Sequence, residues 1–231
     1  MPFFINENLG FVGGTLNSTV PVLNKTIDGG QTWSVVNIQF YNCTTIKSIF
    51  FTDSNNGFIT TDKNDRSYKT VDGGNTWQFI NCQTYYPGKV YFKNNLIGFN
   101  YSDVSSSQNF SYTTDGGINW SAYSTPFGQI TSIHFPNSSS NIGYMMLNYG
   151  RVYKTIDNGL SWNIVNNGSN LTLYSSIYFI DESLGFRVSY GSLTSLLEKT
   201  INGGVDWTVV TQIPGKKILF TNSTTANSFV L

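Results

Sequence analysis

Four aspartates, each set in a copy of one eight-residue pattern, are the residues whose types and spacing could do chemistry. The pattern is Thr-x-Asp-x-Gly-x-x-Trp, and its copies are Thr26–Trp33, Thr70–Trp77, Thr113–Trp120, Thr155–Trp162 and, with Asn202 in place of the aspartate, Thr200–Trp207. Such carboxylates could be general acids or metal ligands. One site would need one constellation, whereas five near-identical copies are typical of a structural element repeated with the fold. We therefore predict no catalytic, cofactor-binding or metal-binding residues, and we interpret Asp28, Asp72, Asp115, Asp157 and Asn202 as turn caps.

These Thr–Trp segments carry the chemistry of a hairpin turn. The carboxylate can accept backbone N–H bonds across the turn, and Gly adopts the left-handed conformation that a Cβ would penalise. The Trp is predicted to open the next strand and to pack over the turn, with its indole N–H on a carbonyl. The segments contain every Trp of the chain, namely Trp33, Trp77, Trp120, Trp162 and Trp207, at intervals of 44, 43, 42 and 45 residues. A fixed period of this size is typical of a propeller or another repeat array.

A second pattern alternates with the first and consists of an aromatic residue, an Asn or Asp two positions later, and then Gly with another aromatic. Its first two copies are Phe4-Ile-Asn6…Gly10-Phe11 and Phe51-Thr-Asp53…Gly57-Phe58. Short alternating apolar runs bounded by Gly, Asn and Asp predict strands throughout. Four strands in each repeat of about 43 residues predict an all-β fold, a β-propeller of four-stranded antiparallel blades. We predict a single domain over 1–231, with repeats at 1–46, 47–88, 89–130, 131–174 and 175–214 and a partial blade at 215–231.

The partial blade leaves the architecture five- or six-bladed. Lys216–Phe220 and Ser228–Leu231 supply only its first two strands. Three arrangements stay open: a five-bladed ring with an appendage, an open six-blade arc cut from a longer protein, or a half blade completed by a partner chain. Because an unpaired edge strand is adhesive, self-association through this half blade is a reasonable hypothesis.

Taken together, the two patterns resemble the Asp-box or BNR repeat. They are most similar to the version in photosystem II assembly-factor-like propellers, which share the double glycine of Lys25-Thr-Ile-Asp-Gly-Gly30. Related Asp boxes occur in sialidases, sortilin-type receptors and xyloglucan-cleaving glycosidases. The resemblance spans essentially the whole chain. It implies a propeller fold and a structural role for the box, while the assembly factors imply a protein-binding scaffold.

The sialidase resemblance would imply an arginine triad, a Tyr nucleophile with a Glu partner, and an Asp acid. The chain has three arginines and three glutamates in total, and Glu7 and Glu182 fall in turns on the Asp-box side. His134 is the sole histidine and lies on a predicted innermost strand, where a hydrogen-bonded core histidine is the simpler interpretation. We therefore predict that the protein is not an enzyme, with a glycan-binding or glycoside-hydrolase-related propeller as the alternative.

Composition limits the partners. Thirteen basic and thirteen acidic residues give a formal net charge of zero, so nucleic acid and anionic membranes have no electrostatic support. No apolar run is long enough to span a bilayer, which predicts no membrane insertion. The low content of Lys and Glu, with abundant Ser, Thr and Asn, favours an extracellular or cell-surface location, and the lack of a signal peptide then suggests a mature form or fragment.

Cys43 and Cys82 occupy non-equivalent repeat positions and are both predicted near the outer rim of neighbouring blades. A disulfide between them and two free thiols both stay open at this point.

Function is predicted on the face opposite the Thr–Trp segments, because that face carries the longer loops and the crossovers between blades. We name it the loop face. Its candidate binding residues are Tyr41, Arg66, Tyr85, Tyr86, Tyr149 and Arg151, with Phe40, Tyr123, Phe127 and Tyr174 as further crossover aromatics. Tyr and Arg among Asn and Ser are typical of a surface that recognises proteins or carbohydrates. We predict a binding or assembly scaffold whose partner is a protein, a second copy of the chain, or a glycan.

Overall fold

Short β-strands and tight turns make up the regular structure of the chain. The computed structural model describes residues 2–63, 66–81, 88–102, 109–124, 128–137, 139–169, 171–191, 194–215, 217–220 and 226–229. All regular elements in these ranges are strands. The chain divides into two compact units, Met1–Gly128 and Gln129–Leu231. The first unit holds three sheets and the second holds two four-stranded sheets and one two-stranded sheet.

Each four-stranded sheet is an antiparallel meander whose strands pair in chain order. The strands of the first unit are β1 Pro2–Phe4, β2 Gly10–Leu16, β3 Val20–Thr26, β4 Ser34–Val35, β5 Ile46–Phe51, β6 Gly57–Thr61, β7 Ser67–Thr70, β8 Gln78–Ile80, β9 Lys89–Phe92, β10 Gly98–Tyr101, β11 Asn109–Thr113 and β12 Ser121–Ser124. Those of the second unit are β13 Ile130–His134, β14 Gly143–Leu147, β15 Val152–Thr155, β16 Asn163–Asn166, β17 Leu173–Phe179, β18 Gly185–Tyr190, β19 Ser195–Thr200, β20 Thr208–Ile213, β21 Lys217–Phe220 and β22 Ala226–Phe229. The predicted fold class, five four-stranded repeats followed by half a blade, is confirmed. The prediction of a single domain over 1–231 stays a prediction.

A buried threonine hydroxyl organises each turn between the third and fourth strands. In the second sheet, Thr70 Oγ1 accepts a hydrogen bond from the N–H of Gly74 at 2.9 Å and donates to Asp72 Oδ1 at 2.8 Å. The carboxylate accepts from the Thr76 N–H and hydroxyl, at 2.9 and 2.6 Å. Trp77 then donates its indole N–H to the Gly74 carbonyl at 3.2 Å. These bonds tie the side chains of Thr70, Asp72, Thr76 and Trp77 to one another and to the backbone of Gly74.

The bond from the glycine N–H to the threonine and the bond from the indole to the carbonyl recur in all five Thr–Trp segments, with indole-to-carbonyl distances between 2.9 and 3.2 Å. In the fifth copy the amide Asn202 replaces the carboxylate and bonds Asp206, whose N–H and carboxylate complete the turn. Each Trp lies one residue before its strand instead of opening it, because the strand pairing starts at the next residue. Hydrogen bonds from the Thr32 and Thr26 side chains hold the pKa of Asp28 down at about 2.

The second sequence pattern forms the turn between strands one and two. The side chains of Asn6, Asp53, Asn94 and Asp181 each accept two backbone N–H bonds from residues two and three positions later. This turn contacts the Thr–Trp segment of its own sheet, as where Gly73 donates its N–H to the Asn55 carbonyl at 3.0 Å. Gly73 has φ of 70°, and a Cβ there would come within 3.0 Å of the Ser54 carbonyl oxygen. The two patterns therefore lie together on one face, which we name the turn face.

Aromatic stacking joins neighbouring sheets within each unit. Phe11 of the first sheet stacks on Phe51 of the second at 4.7 Å, and both rings meet the edge of Trp77. Lys25 covers the outer face of Phe11 and donates Nζ to the Gly73 carbonyl at 2.8 Å. The pairs Phe58–Phe92 and Tyr144–Phe179 repeat this arrangement with Lys69 and Lys154. In these three pairs, one sheet is therefore fixed to the next sheet of the same unit beside the Thr–Trp segment of the second sheet.

His134 shows how the innermost strands are connected in the second unit. Its Nε2 lies 2.9 Å from the Phe179 carbonyl oxygen on β17, and its ring packs on Tyr178 at 4.3 Å. A carbonyl only accepts, so Nε2 carries the proton in the neutral ring. Burial lowers the pKa of His134 to about 4, although the bond to the Phe179 carbonyl acts in the opposite direction. These contacts match a core histidine with a hydrogen-bond partner.

We expect Thr70→Val to destabilise the fold by about 1–3 kcal/mol, because it keeps the shape but leaves the buried Gly74 N–H without an acceptor. The free energy of unfolding, measured by chemical denaturation, checks this. Thr208→Val, at an exposed position on β20, is the control and should change stability by no more than about 0.5 kcal/mol. Equal stability of the two variants would contradict a structural role for the hydroxyl.

We expect the fold to lose stability, on the order of 1–3 kcal/mol, as pH falls from about 6.5 to about 4. The reason is that the folded state binds the His134 proton more weakly than the unfolded chain does. His134→Gln retains a donor for the Phe179 carbonyl but cannot titrate. Its unfolding free energy should lack this pH dependence down to about pH 4.5, above the range in which aspartates protonate. An identical pH profile for both proteins would rule His134 out as the cause.

Candidate functional site

Two of the candidate binding residues, Tyr41 and Arg66, lie in the first unit. Tyr41 lies in the crossover from β4 to β5 with 49% of its surface exposed, and its N–H donates to Tyr68 Oη at 2.9 Å. The crossover is fixed by Asp62, which accepts the Thr44 and Thr45 N–H groups at 2.8 and 3.1 Å. Burial pushes the pKa of Asp62 up, but these hydrogen bonds outweigh it and the pKa ends below its ordinary value. Tyr41 is therefore an exposed ring on a rigid backbone.

The second unit contributes Tyr149 and Arg151, on the turn between β14 and β15. Tyr149 is 46% exposed, and its carbonyl accepts the Ser169 N–H at 2.8 Å. Gly150 follows in the left-handed region, with φ of 73°. The structure thus places each Tyr–Arg pair within one unit, Tyr41 with Arg66 and Tyr149 with Arg151. Tyr85 and Tyr86 lie outside the described residues, as does Phe127.

Tyr174 is not part of an exposed surface. It is 4% exposed and packs in the core of the second unit, so its interpretation as a binding aromatic is wrong. The reason is its strand position, because Tyr174 begins the inward-facing set of β17 instead of lying in the crossover before it. Phe40 also packs inward, with its ring edge-on to Tyr68 at 5.2 Å.

Cys43 is a buried free thiol, and burial, assisted by the negative charge of Asp62, raises its pKa. Its proposed partner Cys82 lies outside the described residues. The disulfide between them stays a prediction.

A buried ion pair under the Tyr149–Arg151 turn was missed by the sequence reasoning. Arg187 Nε lies 2.6 Å from Glu198 Oε2, with both side chains about nine-tenths buried. The guanidinium carbon is 4.5 Å from the ring centres of both Tyr174 and Trp207. Nη1 of Arg187 donates to the Gly150 carbonyl at 3.1 Å, which ties the pair to the exposed turn. A buried pair of this kind supports the position of the turn and is largely shielded from solvent.

A signal for this pair was present in the sequence. Arg187 occupies the second-strand position where the other repeats carry Val12, Ile59, Asn100 and Met145. In the structure it pairs directly with Glu198 across β18 and β19. A charge at an inward position of a strand requires a charged partner at the facing position. Aligning the predicted strands β18 and β19 residue by residue would have placed Arg187 opposite Glu198.

Seven aspartates in the described part of the chain are stabilised in their ionised form. Asp28, Asp53, Asp62, Asp72, Asp115, Asp157 and Asp181 all have pKa values below the ordinary one, and each accepts several hydrogen bonds. Across the described ranges, no group of three His, Cys, Asp or Glu residues is arranged to hold a metal ion. Within the same ranges there is no helix of a length and apolarity suited to crossing a bilayer.

Comparison with known proteins identifies relatives of this fold. The family model described as "Photosynthesis system II assembly factor YCF48" matches residues 2–143. No curated protein is a significant match. YCF48 from Cyanidioschyzon merolae is similar in structure, with a TM-score of 0.69 and 16% identity over 94% of this chain and 76% of that one. A structure described as YCF48 bound to D1 peptide is 18% identical over 98% and 86% of the two chains, with a TM-score of 0.49.

Enzymes of the GH74 type share the fold. The GH74 enzyme of Niastella koreensis has a TM-score of 0.68 and 17% identity over 88% of this chain. The match spans 36% of that enzyme. At this identity the likeness extends to the fold alone.

The prediction of an extracellular or cell-surface location is wrong. The matching family is that of an assembly factor of photosynthesis system II, which acts within the photosynthetic apparatus and not on an outer cell surface. The prediction rested on few Lys and Glu and on many hydroxyl and amide groups. Such a surface is well solvated in every aqueous compartment, so composition could not distinguish among them.

Two observations agree on the family. The family model covers more than half of the chain, and the sheets of the structure follow the repeats that the sequence patterns define. The chain belongs to the YCF48 family of photosystem II assembly factors.

Proposed function

We propose that the protein is a non-catalytic, protein-binding scaffold that assists the assembly of a larger protein complex. The observation that carries the proposal is the match of residues 2–143 to a family of assembly factors. An assembly factor acts by binding protein subunits, so a protein is the partner class that family membership favours. The fold alone would not distinguish this role from others.

The loop face supports the proposal through Tyr41 and Tyr149. Both rings are about half exposed, and both sit on backbone that is fixed by hydrogen bonds. Rigid aromatic surface loses little conformational entropy on binding, which is why Tyr is enriched in protein recognition sites. Arg66, directly before β7, and Arg151, on the same turn as Tyr149, add charged donors. We propose these four residues, with Tyr85 and Tyr86, as the partner-binding residues.

The competing class is a glycan-active propeller, which the likeness to GH74 enzymes brings into view. Glycoside hydrolysis requires a pair of carboxyl groups, one of them with a raised pKa so that it can act as an acid. The aspartates whose pKa is shifted are all lowered, and those of the Thr–Trp segments are engaged by their own turns. These facts favour binding over catalysis.

We also propose that the sheet β21–β22 is a site of self-association. Within the described residues, β22 pairs with β21 on one side only. The other edge of a strand presents unpaired backbone groups that a further strand could complete. If this holds, the chain oligomerises, and deleting 216–231 lowers its mass in sedimentation to that of a monomer. A chain that is monomeric at high concentration with or without this segment would contradict it.

Binding of a labelled D1 peptide, together with a screen of chromogenic glycosides and xyloglucan oligosaccharides, tests the scaffold proposal. We expect the peptide to bind, Tyr149→Ala/Arg151→Ala to weaken binding by about tenfold or more, and the glycoside screen to be silent. Val209→Ala/Thr211→Ala, on the exposed outer strand β20 of the same unit, is the matched control and should bind normally. Hydrolysis of a glycoside that is lost in Arg66→Ala or Arg151→Ala would instead identify a glycosidase.

A further inference from the structure

The turn face carries exposed aliphatic side chains at the tip of every Thr–Trp segment. In the first unit, Ile27 and Val71 lie between the Thr and the Asp of their segments and are 73% and 62% exposed, and Ile118 is 73% exposed three residues after Asp115. Leu96, in the turn that receives the third segment, is 58% exposed. The second unit repeats the feature with Ile156, Leu160, Ile201 and Val205. Scattered single apolar residues are ordinary on a surface, but a set repeated at the same turn of the three sheets of the first unit indicates an interaction site.

The turn itself does not need these side chains. In the third segment, Thr114 occupies the position of Ile27 and Val71, and the same hydrogen bonds form around it. That segment carries its aliphatic residue at Ile118 instead. A polar β-branched residue therefore fits the position, and folding alone gives no reason to prefer Ile or Val there.

The tips of the first unit belong to one continuous face. Lys25 Nζ, next to the first segment, donates to the Gly73 carbonyl and the Asn75 side chain of the second segment. Lys69 in turn donates to the Gly116 carbonyl of the third segment. These bonds place the three segments side by side, in the order in which they follow along the chain.

Charge on this face is predominantly negative in the first unit. Its carboxylates are Glu7, Asp28, Asp53, Asp72 and Asp115. Its lysines are Lys25 and Lys69, whose ammonium groups are bound to carbonyls, and Lys93, which is 9% exposed. The aliphatic tips are thus surrounded by more carboxylates than ammonium groups.

We propose that the turn face of residues 2–128 is a second docking surface, and that it binds an apolar protein segment bordered by Lys or Arg. The aliphatic tips would contact the apolar side chains, while the carboxylates between them would pair with the basic ones. A second copy of this face or an anionic bilayer would bring like charge to the same carboxylates, which disfavours both as occupants. This surface lies on the face opposite to Tyr41 and Arg66, so the proposal does not depend on the loop-face site.

The test compares a turn-face variant, Ile27→Thr/Val71→Thr/Ile118→Thr, with a control, Leu16→Thr/Val20→Thr/Val35→Thr. The control replaces three aliphatic residues of similar exposure that lie on β2, on β3 and on β4. Fluorescence anisotropy measures binding of three labelled peptides of equal length: an amphipathic Leu/Lys helix, its Leu/Glu counterpart and a Ser/Lys peptide. Chemical denaturation of both variants checks that each is folded.

We expect the Leu/Lys peptide to bind the native chain, the turn-face variant to bind it about tenfold more weakly, and the control to bind it as the native chain does. The Leu/Glu and Ser/Lys peptides should not bind, since each lacks one half of the recognition. The proposal is overturned if the Leu/Lys peptide fails to bind or binds the turn-face variant equally well. It is also overturned if the native chain forms dimers and the turn-face variant does not. The same holds if the native chain binds phosphatidylglycerol vesicles and the turn-face variant does not. Binding of the D1 peptide is also measured for the turn-face variant. If the variant still binds it, the loop-face proposal stands whatever the outcome for the turn face.

Discussion

The structure depends on one hydrogen bond, repeated five times, from the N–H of the glycine at the fifth position of each Thr–Trp segment to a buried threonine hydroxyl. The turn would otherwise leave that donor without a partner in the protein interior, which costs far more than an ordinary hydrogen bond contributes. Once this bond forms, the carboxylate closes the turn from outside and the Trp covers it. The eight residues are then a rigid corner held largely by its own hydrogen bonds, and one further backbone bond ties it to the turn between strands one and two.

That rigid corner is also the surface on which the preceding sheet packs. Phe11 and Phe58 lie directly against the second glycines of the next segments, where a Cβ would come within 2.6–2.7 Å of the rings. The glycine is thus required twice, by its left-handed backbone and by the approach of a ring from the neighbouring sheet. Local turn chemistry and packing between sheets therefore use the same residues. This explains why each repeat carries both sequence patterns. Residues that can change without disturbing the fold therefore lie in the loops and at the exposed tips, and binding functions are expected there.

The sequence was sufficient for the fold because the corner is local: Thr, Asp, Gly and Trp satisfy one another within eight residues, and their spacing counts the sheets. It was insufficient where partners come from distant positions. The pair of Arg187 and Glu198 follows from register across two strands, and the burial of Tyr174 follows from where β17 begins. The exposure of Ile27 and Val71 could not be predicted, because an aliphatic residue next to a strand is usually expected to be buried in the core. The location in the cell was wrong because composition reflects solvation, which does not differ between aqueous compartments.

The measurement that tests the account most directly is amide hydrogen exchange at the glycine in the fifth position of each segment, namely Gly30, Gly74, Gly117, Gly159 and Gly204. If the threonine bond holds the corner, these five amides exchange only on global unfolding of their unit, as slowly as the central strand amides beside them. The exposed tip residues Ile27 and Val71 serve as the internal reference for fast local exchange. Rapid exchange of the glycine amides while the strands stay protected would show that the corners open independently, and it would contradict the account.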